Sequence, residues 1–292
     1  MNDSALRMPD DEGLFGPGSV TWRVHASPAM LIGGLRALLI QTLHPLAMAG
    51  VAQHSDYRTR GLHRLRRTTQ YVLTVTYGDT AAARSAGEQV RRVHERIRGV
   101  DPVTGREYSA ADPETLLWVH CAEVHSFCAA YRAYGGVLDD AERDRYYAES
   151  ARAAALVGIP RDQVPKSALE MRAYFERMRP SLCVSQSALD AIRFLAAPRL
   201  SRKNLKVTLS MRIAAAAAIG LVPEHLRELM GIERPWVVDA ATFAGLRAAW
   251  GPLSRLLELP DSEDANIARL RSFAATNPFG APVAHARVAQ AS

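Results

Sequence analysis

The sequence predicts an all-α protein built as a single globular domain of many helices. No stretch of several residues alternates between apolar and polar side chains with a period of two, as a half-buried strand would. Helix-starting residues, apolar residues at helical spacing and helix-ending Gly or Pro residues recur along most of the chain. With 292 residues, of which 48% are hydrophobic, the chain is long enough to bury one large core.

The helix boundaries follow from capping residues and helix breakers. Ser27 before Pro28 is typical of a helix start, and the apolar run that follows predicts a buried helix with a kink at Pro45. Asp112 before Pro113 gives a second start of this kind. The expected helices cover residues 28–50, 60–77, 81–98, 114–134, 140–158, 165–179, 186–197, 204–221, 223–231 and 239–259.

The domain is expected to span residues 25–274. Residues 1–24 read as a flexible N-terminal segment and residues 275–292 as a loose C-terminal tail. Between two helices, residues 101–110 are rich in turn-forming residues and predict a loop. No internal repeat divides the chain further.

The composition says more about the cellular location of the protein than about its function. The net charge of +6 is compatible with nucleic acid, an anionic membrane surface or an acidic cofactor and does not choose among them. The three cysteines form no CxxC pair, and their odd number together with an N-terminus unlike a secretory signal predicts a cytoplasmic protein. Polar residues and Pro45 interrupt the apolar stretch 28–51, so no stable membrane span is expected.

The sequence lacks the motifs of several common enzyme classes. No GxGxxG or GxxxxGK[ST] loop is present, which argues against dinucleotide and P-loop nucleotide binding. HExxH and GxSxG are also missing, and no histidine follows a glutamate by three residues, as ferritin-like di-iron sites require.

His94 lies in a strongly basic segment. Four arginines surround it, and a second arginine cluster at 64–67 precedes it in the chain. An imidazole framed by cations suits haem, because iron takes an axial imidazole and the two propionates take positive partners. The alternative is an arginine-rich helix face that merely contacts water. The flanking arginines are Arg91, Arg92, Arg96 and Arg98, and the upstream ones are Arg64, Arg66 and Arg67.

Five segments in order resemble the MpaB-type oxygenase superfamily, which includes the latex-clearing rubber oxygenases. They are LLIQTLHPLAMAGVAQHSDY at 38–57, RLRRTTQYVLTVTYG at 64–78, VRRVHERIRG at 90–99, YSAADPETLLWVH at 108–120 and EMRAYFERM at 170–178. The resemblance covers roughly residues 25–235. It implies a helical core arranged around a haem pocket, in the manner of a globin, and an enzyme that uses haem b to oxidise alkenes.

The resemblance also implies roles for individual residues. His94 corresponds to the axial iron ligand in a His-x-x-x-Arg pattern completed by Arg98. Arg64, Arg67 and Thr68 correspond to the distal, catalytic pattern, and Arg64 and Arg98 are further expected to bind the propionates. Relatives can carry a lysine where Arg67 stands, and an arginine is a poor iron ligand. No glutamate occurs between Glu12 and Glu88 to match the one discussed for the rubber oxygenases.

The sequence therefore predicts a haem-b-dependent oxidoreductase, acting with dioxygen or peroxide on an apolar small molecule such as an alkene or isoprenoid. One alternative is a peroxidase-like or dehydrogenating reaction on the same fold. Another is a non-catalytic helical protein that binds nucleic acid or lipid. The basic region lacks a helix-turn-helix signature, which argues against nucleic acid as a partner. His120 is the second choice as iron ligand, and the oligomeric state stays open.

Overall fold

The computed structural model describes residues 9–197, 205–256, 262–277 and 279. These residues form an all-helical domain, as predicted, with a single two-stranded hairpin in the described part. A π-helical turn at Tyr131–Gly135 and a 3-10 turn at Arg179–Ser181 follow two of the helices. The elements are α1 (Val20–Ala26), α2 (Met30–Gln41), α3 (Pro45–His54), α4 (Tyr57–Tyr77), α5 (Thr80–His94), β1 (Arg98–Val100), β2 (Glu107–Ser109), α6 (Pro113–Ala130), α7 (Asp140–Leu156), α8 (Ala168–Met178), α9 (Gln186–Ala196), α10 (Leu205–Gly220), α11 (Glu224–Leu229), α12 (Trp236–Leu256) and α13 (Glu263–Thr276).

The sequence predicts the helix caps at Asp79, Asp112 and Asp139, but not the start at Ser27: Ser27 ends α1, and α2 begins at Met30 without a side-chain cap. The Asp79 carboxylate accepts a hydrogen bond from the Ala82 N–H at 2.7 Å and starts α5. Asp112 accepts from two N–H groups in the first turn of α6, and Asp139 forms a capping box with Glu142 at the start of α7. Because these contacts lie within one helical turn, local sequence is sufficient to specify them.

The expected long helix 28–50 is instead two helices. α2 ends at Gln41, α3 begins at Pro45, and the two segments are bent by 104°. The His44 imidazole accepts a hydrogen bond from the Ala47 N–H at 3.3 Å, so it caps α3 and replaces a bond that the bend removes. In the described part of the chain, no single helix is long and apolar enough to cross a membrane; only this bent pair passes by length and composition.

Helices α2 and α6 pack closely along each other at the centre of the core. Gly33 allows this approach, because a Cβ there would lie 2.9 Å from Phe127 Cδ1 and 3.0 Å from the Phe127 Cα. Arg36, only 1% exposed, bonds through its guanidinium to the Leu221 carbonyl at 2.9 Å and to the Ser126 hydroxyl at 2.7 Å. These partners make a cation tolerable inside an otherwise apolar helix.

Replacing Gly33 with valine is expected to lower the free energy of unfolding by roughly 1–3 kcal/mol or more, because the added methyl groups meet the Phe127 backbone. Gly34→Ala is the matched control: its Cβ would meet nothing closer than Phe127 Cε1 at 3.9 Å. That variant is expected to gain up to about 1 kcal/mol from helix propensity. Urea unfolding of both variants measures the difference, and equal stabilities would contradict the close-packing argument.

Several predicted boundaries differ from the structure. Residues 20–24, assigned to the flexible N-terminal segment, belong to α1, where Trp22 and Val24 are buried and the Ser19 hydroxyl caps the helix. Helix α5 ends at His94 rather than at Gly99. Of the predicted C-terminal tail, residue 278 and residues 280–292 lie outside the described residues, and 275–276 still belong to α13.

The predicted loop 101–110 contains strand β2 and the turn of the hairpin. Arg98 pairs with Ser109, and Val100 pairs with Glu107. The Asp101 carboxylate accepts hydrogen bonds from the Val103 and Thr104 N–H groups and from the Thr104 hydroxyl, which closes the turn between the strands. Strands of three residues are too short to give a visible alternation in the sequence.

Candidate functional site

A cavity of about 140 Å³ lies between α1, α4, α5, α6 and α7. Its walls are mostly apolar, and they include Val72 and Val75 of α4, Val90 of α5, and Leu116 and Phe127 of α6. Within this apolar lining the helices place three imidazoles and one carboxyl group. They belong to His25, His94, His120 and Glu123.

His25 has both ring nitrogens engaged. Nδ1 lies 2.9 Å from the Thr76 hydroxyl and Nε2 lies 3.0 Å from the Tyr146 hydroxyl. Burial lowers the pKa of His25 to about 3, so the ring is neutral at physiological pH. With both nitrogens bonded, this histidine joins α1 to α4 and α7 and leaves no lone pair for a ligand.

His120 has one nitrogen engaged. The Ser150 hydroxyl donates to the Tyr147 carbonyl at 2.7 Å, so toward His120 Nε2, 3.3 Å away, its oxygen accepts. This places the proton of the neutral imidazole on Nε2 and leaves the lone pair on Nδ1. Burial lowers the pKa of His120 to about 4, which keeps the ring neutral.

His94 is the cavity histidine without a hydrogen bond to any described residue. Its Nδ1 is buried and has no partner. Burial also lowers the pKa of this imidazole, so the neutral form is favoured. A buried polar nitrogen without a partner is costly, and a ligand that accepts the imidazole lone pair would remove part of that cost. Of the three histidines, His94 is therefore the best placed to bind a cofactor.

Glu123 is the functional candidate that the sequence reasoning missed. Its side chain lines the cavity, and it forms no hydrogen bond or ion pair with any described residue. Burial raises the pKa of this carboxyl group to about 7, so it holds its proton near neutral pH far more readily than an exposed glutamate. One feature of the sequence could have indicated it: Glu123 is the single acid in the apolar segment WVHCAEVHSF. It follows His120 by three residues, so the two side chains lie on the same side of the helix.

The structure does not bring the predicted distal residues into this cavity. The Arg64 guanidinium donates to the Ser55 hydroxyl at 2.7 Å, and burial lowers its pKa. Arg67 is exposed, with its guanidinium carbon 5.7 Å from the centre of the Phe279 ring, and Thr68 is also exposed. Arg64 and Thr68 nevertheless lie seven and three residues before Tyr71, a cavity residue, on the same face of α4.

Arg98 lies apart from the cavity as well. It is exposed on β1, where its Nε donates to the Glu95 carbonyl at 3.3 Å and its own carbonyl lies 3.1 Å from His54 Nε2. The Arg98–His54 contact joins the hairpin to the end of α3. Of the five residues predicted to form the site, His94 alone lines the cavity.

The charge of the cavity limits its chemistry. No Lys or Arg lines it, and the described residues contain no group of three His, Cys, Asp or Glu side chains able to hold a bare metal ion. What remains is an apolar chamber with one unpartnered imidazole and one protonatable carboxyl group. Such a chamber suits an apolar ligand, or a cofactor that brings its own metal and needs one axial ligand.

Comparison with known proteins assigns the chain to a family. The sequence profile described as "ER-bound oxygenase mpaB/B'/Rubber oxygenase, catalytic domain" matches residues 22–251, which include α2 to α11 in full and most of α1. No curated protein and no solved structure matches the chain. The matched region covers most of the chain and confirms the resemblance seen in the motifs. The chain therefore belongs to the mpaB and rubber oxygenase family, and residues 22–251 are an oxygenase-type catalytic domain.

Proposed function

We propose that this protein is a haem-b-dependent oxidoreductase that oxidises an apolar alkene or isoprenoid-like molecule with dioxygen or peroxide. The observation that carries the proposal is the unpartnered His94 imidazole in an apolar cavity. Membership of an oxygenase family supports the reaction class. The apolar lining supports the substrate class, since a cavity without cations offers little to a charged molecule.

His94 suits haem as an iron ligand, but the cavity that it lines is too small to hold the porphyrin by itself. His94 offers the neutral imidazole that haem iron requires. The enclosed volume of about 140 Å³ is smaller than the roughly 300–1,000 Å³ of common ligand pockets, so the ring needs space beyond it. Arg64 and Thr68 lie on the Tyr71 face of α4, outside the cavity, and we propose Arg64 as a propionate partner on the family pattern.

Haem, when bound, would supply the redox chemistry, and the chain would supply ligation, a proton and exclusion of water. His94 would hold the iron. Glu123 holds or releases a proton at its carboxyl group near neutral pH, as acid–base catalysis requires. The bare Nδ1 of His120 accepts a hydrogen bond from a polar group of the bound molecule. The apolar walls orient the substrate and keep water out.

A haem titration of the apo-protein tests the proposal. We expect saturable uptake at one haem per chain, a Soret band and a pyridine haemochrome spectrum of haem b. A parallel titration with duplex DNA at two salt concentrations addresses the nucleic-acid alternative, because phosphate contacts lose affinity steeply with salt. Salt-sensitive DNA binding without saturable haem uptake would refute the proposal.

Arg64→Ala is expected to weaken haem retention roughly ten- to hundredfold. A charge-assisted hydrogen bond to a propionate contributes on the order of 1.5–3 kcal/mol, which corresponds to that range of affinity. Arg98→Ala tests the second predicted propionate partner by the same measurement, and Arg66→Ala is the control, since Arg66 is exposed on the same helix and outside the pattern. Equal retention in all three variants would remove these arginines from the cofactor site.

A further inference from the structure

One part of the cavity wall is not formed by a helix. Among the described residues that line the cavity, Phe15 alone precedes α1; the others belong to α1, α4, α5, α6 and α7 or, as Val157 does, directly follow α7. Phe15 lies in residues 9–18, which contain turns but no helix or strand and which we name the strap. The family profile begins at residue 22, so family membership gives no role for the strap.

The strap is tied to three helices by exposed hydrogen bonds. The Asp11 carboxylate accepts from the Thr80 N–H at 2.8 Å, at the start of α5. The Arg152 guanidinium of α7 donates to the Leu14 carbonyl at 2.9 Å, and Arg271 of α13 donates to the Asp11 carbonyl at 2.7 Å. Because these bonds are exposed, water replaces each of them at a small net cost when the strap moves.

The Phe15 ring connects the strap to the interior of the domain. Gly13 and Gly16, on either side of it, have φ of 69° and 77°, values that favour glycine and turn the chain. The ring is partly buried: it lines the cavity and packs against the apolar cluster that contains Trp22 and Tyr77. A single aromatic ring, carried by a segment without regular structure, therefore forms this part of the wall.

The helical parts of the wall are harder to open. Helices α5 and α7 pack so closely at Gly87 that a Cβ there would lie 2.7 Å from the Leu156 Cβ. His25 joins α1 to α4 and α7 through contacts of 2.9 Å and 3.0 Å. Separating these helices would break such contacts and expose buried side chains, whereas lifting the strap exposes mainly one partly buried ring.

We propose that Phe15 is the gate of the cavity and that an apolar ligand enters when the strap lifts. The inference rests on the proposed function in one respect, since it takes this cavity as the site where the apolar molecule binds. Such a gate also limits the size of the ligand, because the closed cavity of about 140 Å³ admits only a small molecule. Lids that open and close over a site control ligand entry and release in many enzymes.

Fluorine NMR with two probes tests the proposal on the full chain without haem. Fluorobenzene suits the closed cavity, since an apolar cavity of about 150 Å³ engineered in another protein binds benzene; fluoronaphthalene is larger. We expect the unaltered chain to bind fluorobenzene at one site with slow exchange and to bind fluoronaphthalene weakly. Phe15→Ala is expected to exchange fluorobenzene at least tenfold faster and to bind fluoronaphthalene at least tenfold more tightly, because the ring that closes the cavity is absent.

Two further variants separate the ring from the segment that carries it. Asp11→Ala removes the acceptor of the Thr80 N–H and leaves the ring in place. We expect it to exchange fluorobenzene several-fold faster without a gain in affinity for fluoronaphthalene. Leu14→Ala is the matched control, because Leu14 lies in the strap, does not line the cavity and keeps its carbonyl bond to Arg152. It should behave like the unaltered chain, and far-ultraviolet circular dichroism establishes that all three variants fold.

Equal exchange rates in Phe15→Ala and the unaltered chain would overturn the proposal. Equal acceleration in Leu14→Ala would also overturn it, because the effect would then come from a general loosening of the strap. Absence of binding of both probes to both chains would do the same. The haem titration has a separate outcome: absence of haem uptake together with the expected exchange rates would refute the proposed function and leave the gate in place.

Discussion

His94→Ala is expected to reduce haem retention by more than about a hundredfold. Among the described cavity histidines, only His94 has no hydrogen-bond partner, so the substitution removes the proposed iron ligand without breaking a hydrogen bond of the fold. Loss of an outer-shell partner of a metal ligand alone costs about 10–100-fold in metal affinity, and loss of the ligand should cost more. Haem titration and the ferric absorption spectrum measure the effect.

Two histidines serve as controls for this experiment. His54→Ala changes an exposed histidine outside the cavity and should retain haem fully. His120→Ala removes the second cavity candidate and should retain most of the haem if His94 is the ligand. Free imidazole should restore binding to His94→Gly, since the glycine leaves room for the missing ring. Full haem retention and an unchanged spectrum in His94→Ala would show that another residue binds the iron.

The helices could be predicted because their signals are local. Asp112 with Pro113 and Ser185 mark helix starts through bonds to N–H groups within one turn, and the structure has α6 and α9 where they indicate. The sequence indicated the position of the bend between α2 and α3 but not its size. Pro45 marked the position, whereas the 104° angle depends on what both helices pack against. Tertiary packing also places α1 in the core, which its short sequence alone does not indicate.

The residues of the cavity could be predicted from the sequence less well than the fold. The basic neighbours of His94 in the chain indicated a cofactor site, yet these arginines lie outside the cavity. The actual neighbours of His94 in space, His25, His120 and Glu123, come from other helices, and a single sequence gives no distances between helices. A local motif could therefore suggest one cavity residue and could not supply its partners.

Glu123→Gln is expected to stabilise the protein at alkaline pH and to leave its stability nearly unchanged at acid pH. Burial raises the pKa of Glu123 from 4.5 to about 7, so the folded state keeps a proton that the unfolded state releases between these values. Stability conferred by the native glutamate therefore falls as pH rises from about 4.5 to about 7 and is constant above that range. Glutamine has nearly the same shape and no charge to bury, so the variant avoids this loss.

The size of the effect follows from the shift in pKa. A shift of about 2.5 units corresponds to roughly 3 kcal/mol, which is the gain in free energy of unfolding expected for Glu123→Gln at pH 8. Urea unfolding at pH 4.5 and pH 8 measures it, with Glu95→Gln as an exposed control whose two values should differ from those of the unaltered chain by less than about 0.5 kcal/mol. If Glu123→Gln gives the same gain at both pH values, the carboxyl group is already ionised in the folded protein. It could then not hold the proton that we assign to it, and the acid–base part of the proposed function would fail while the role of His94 would stand.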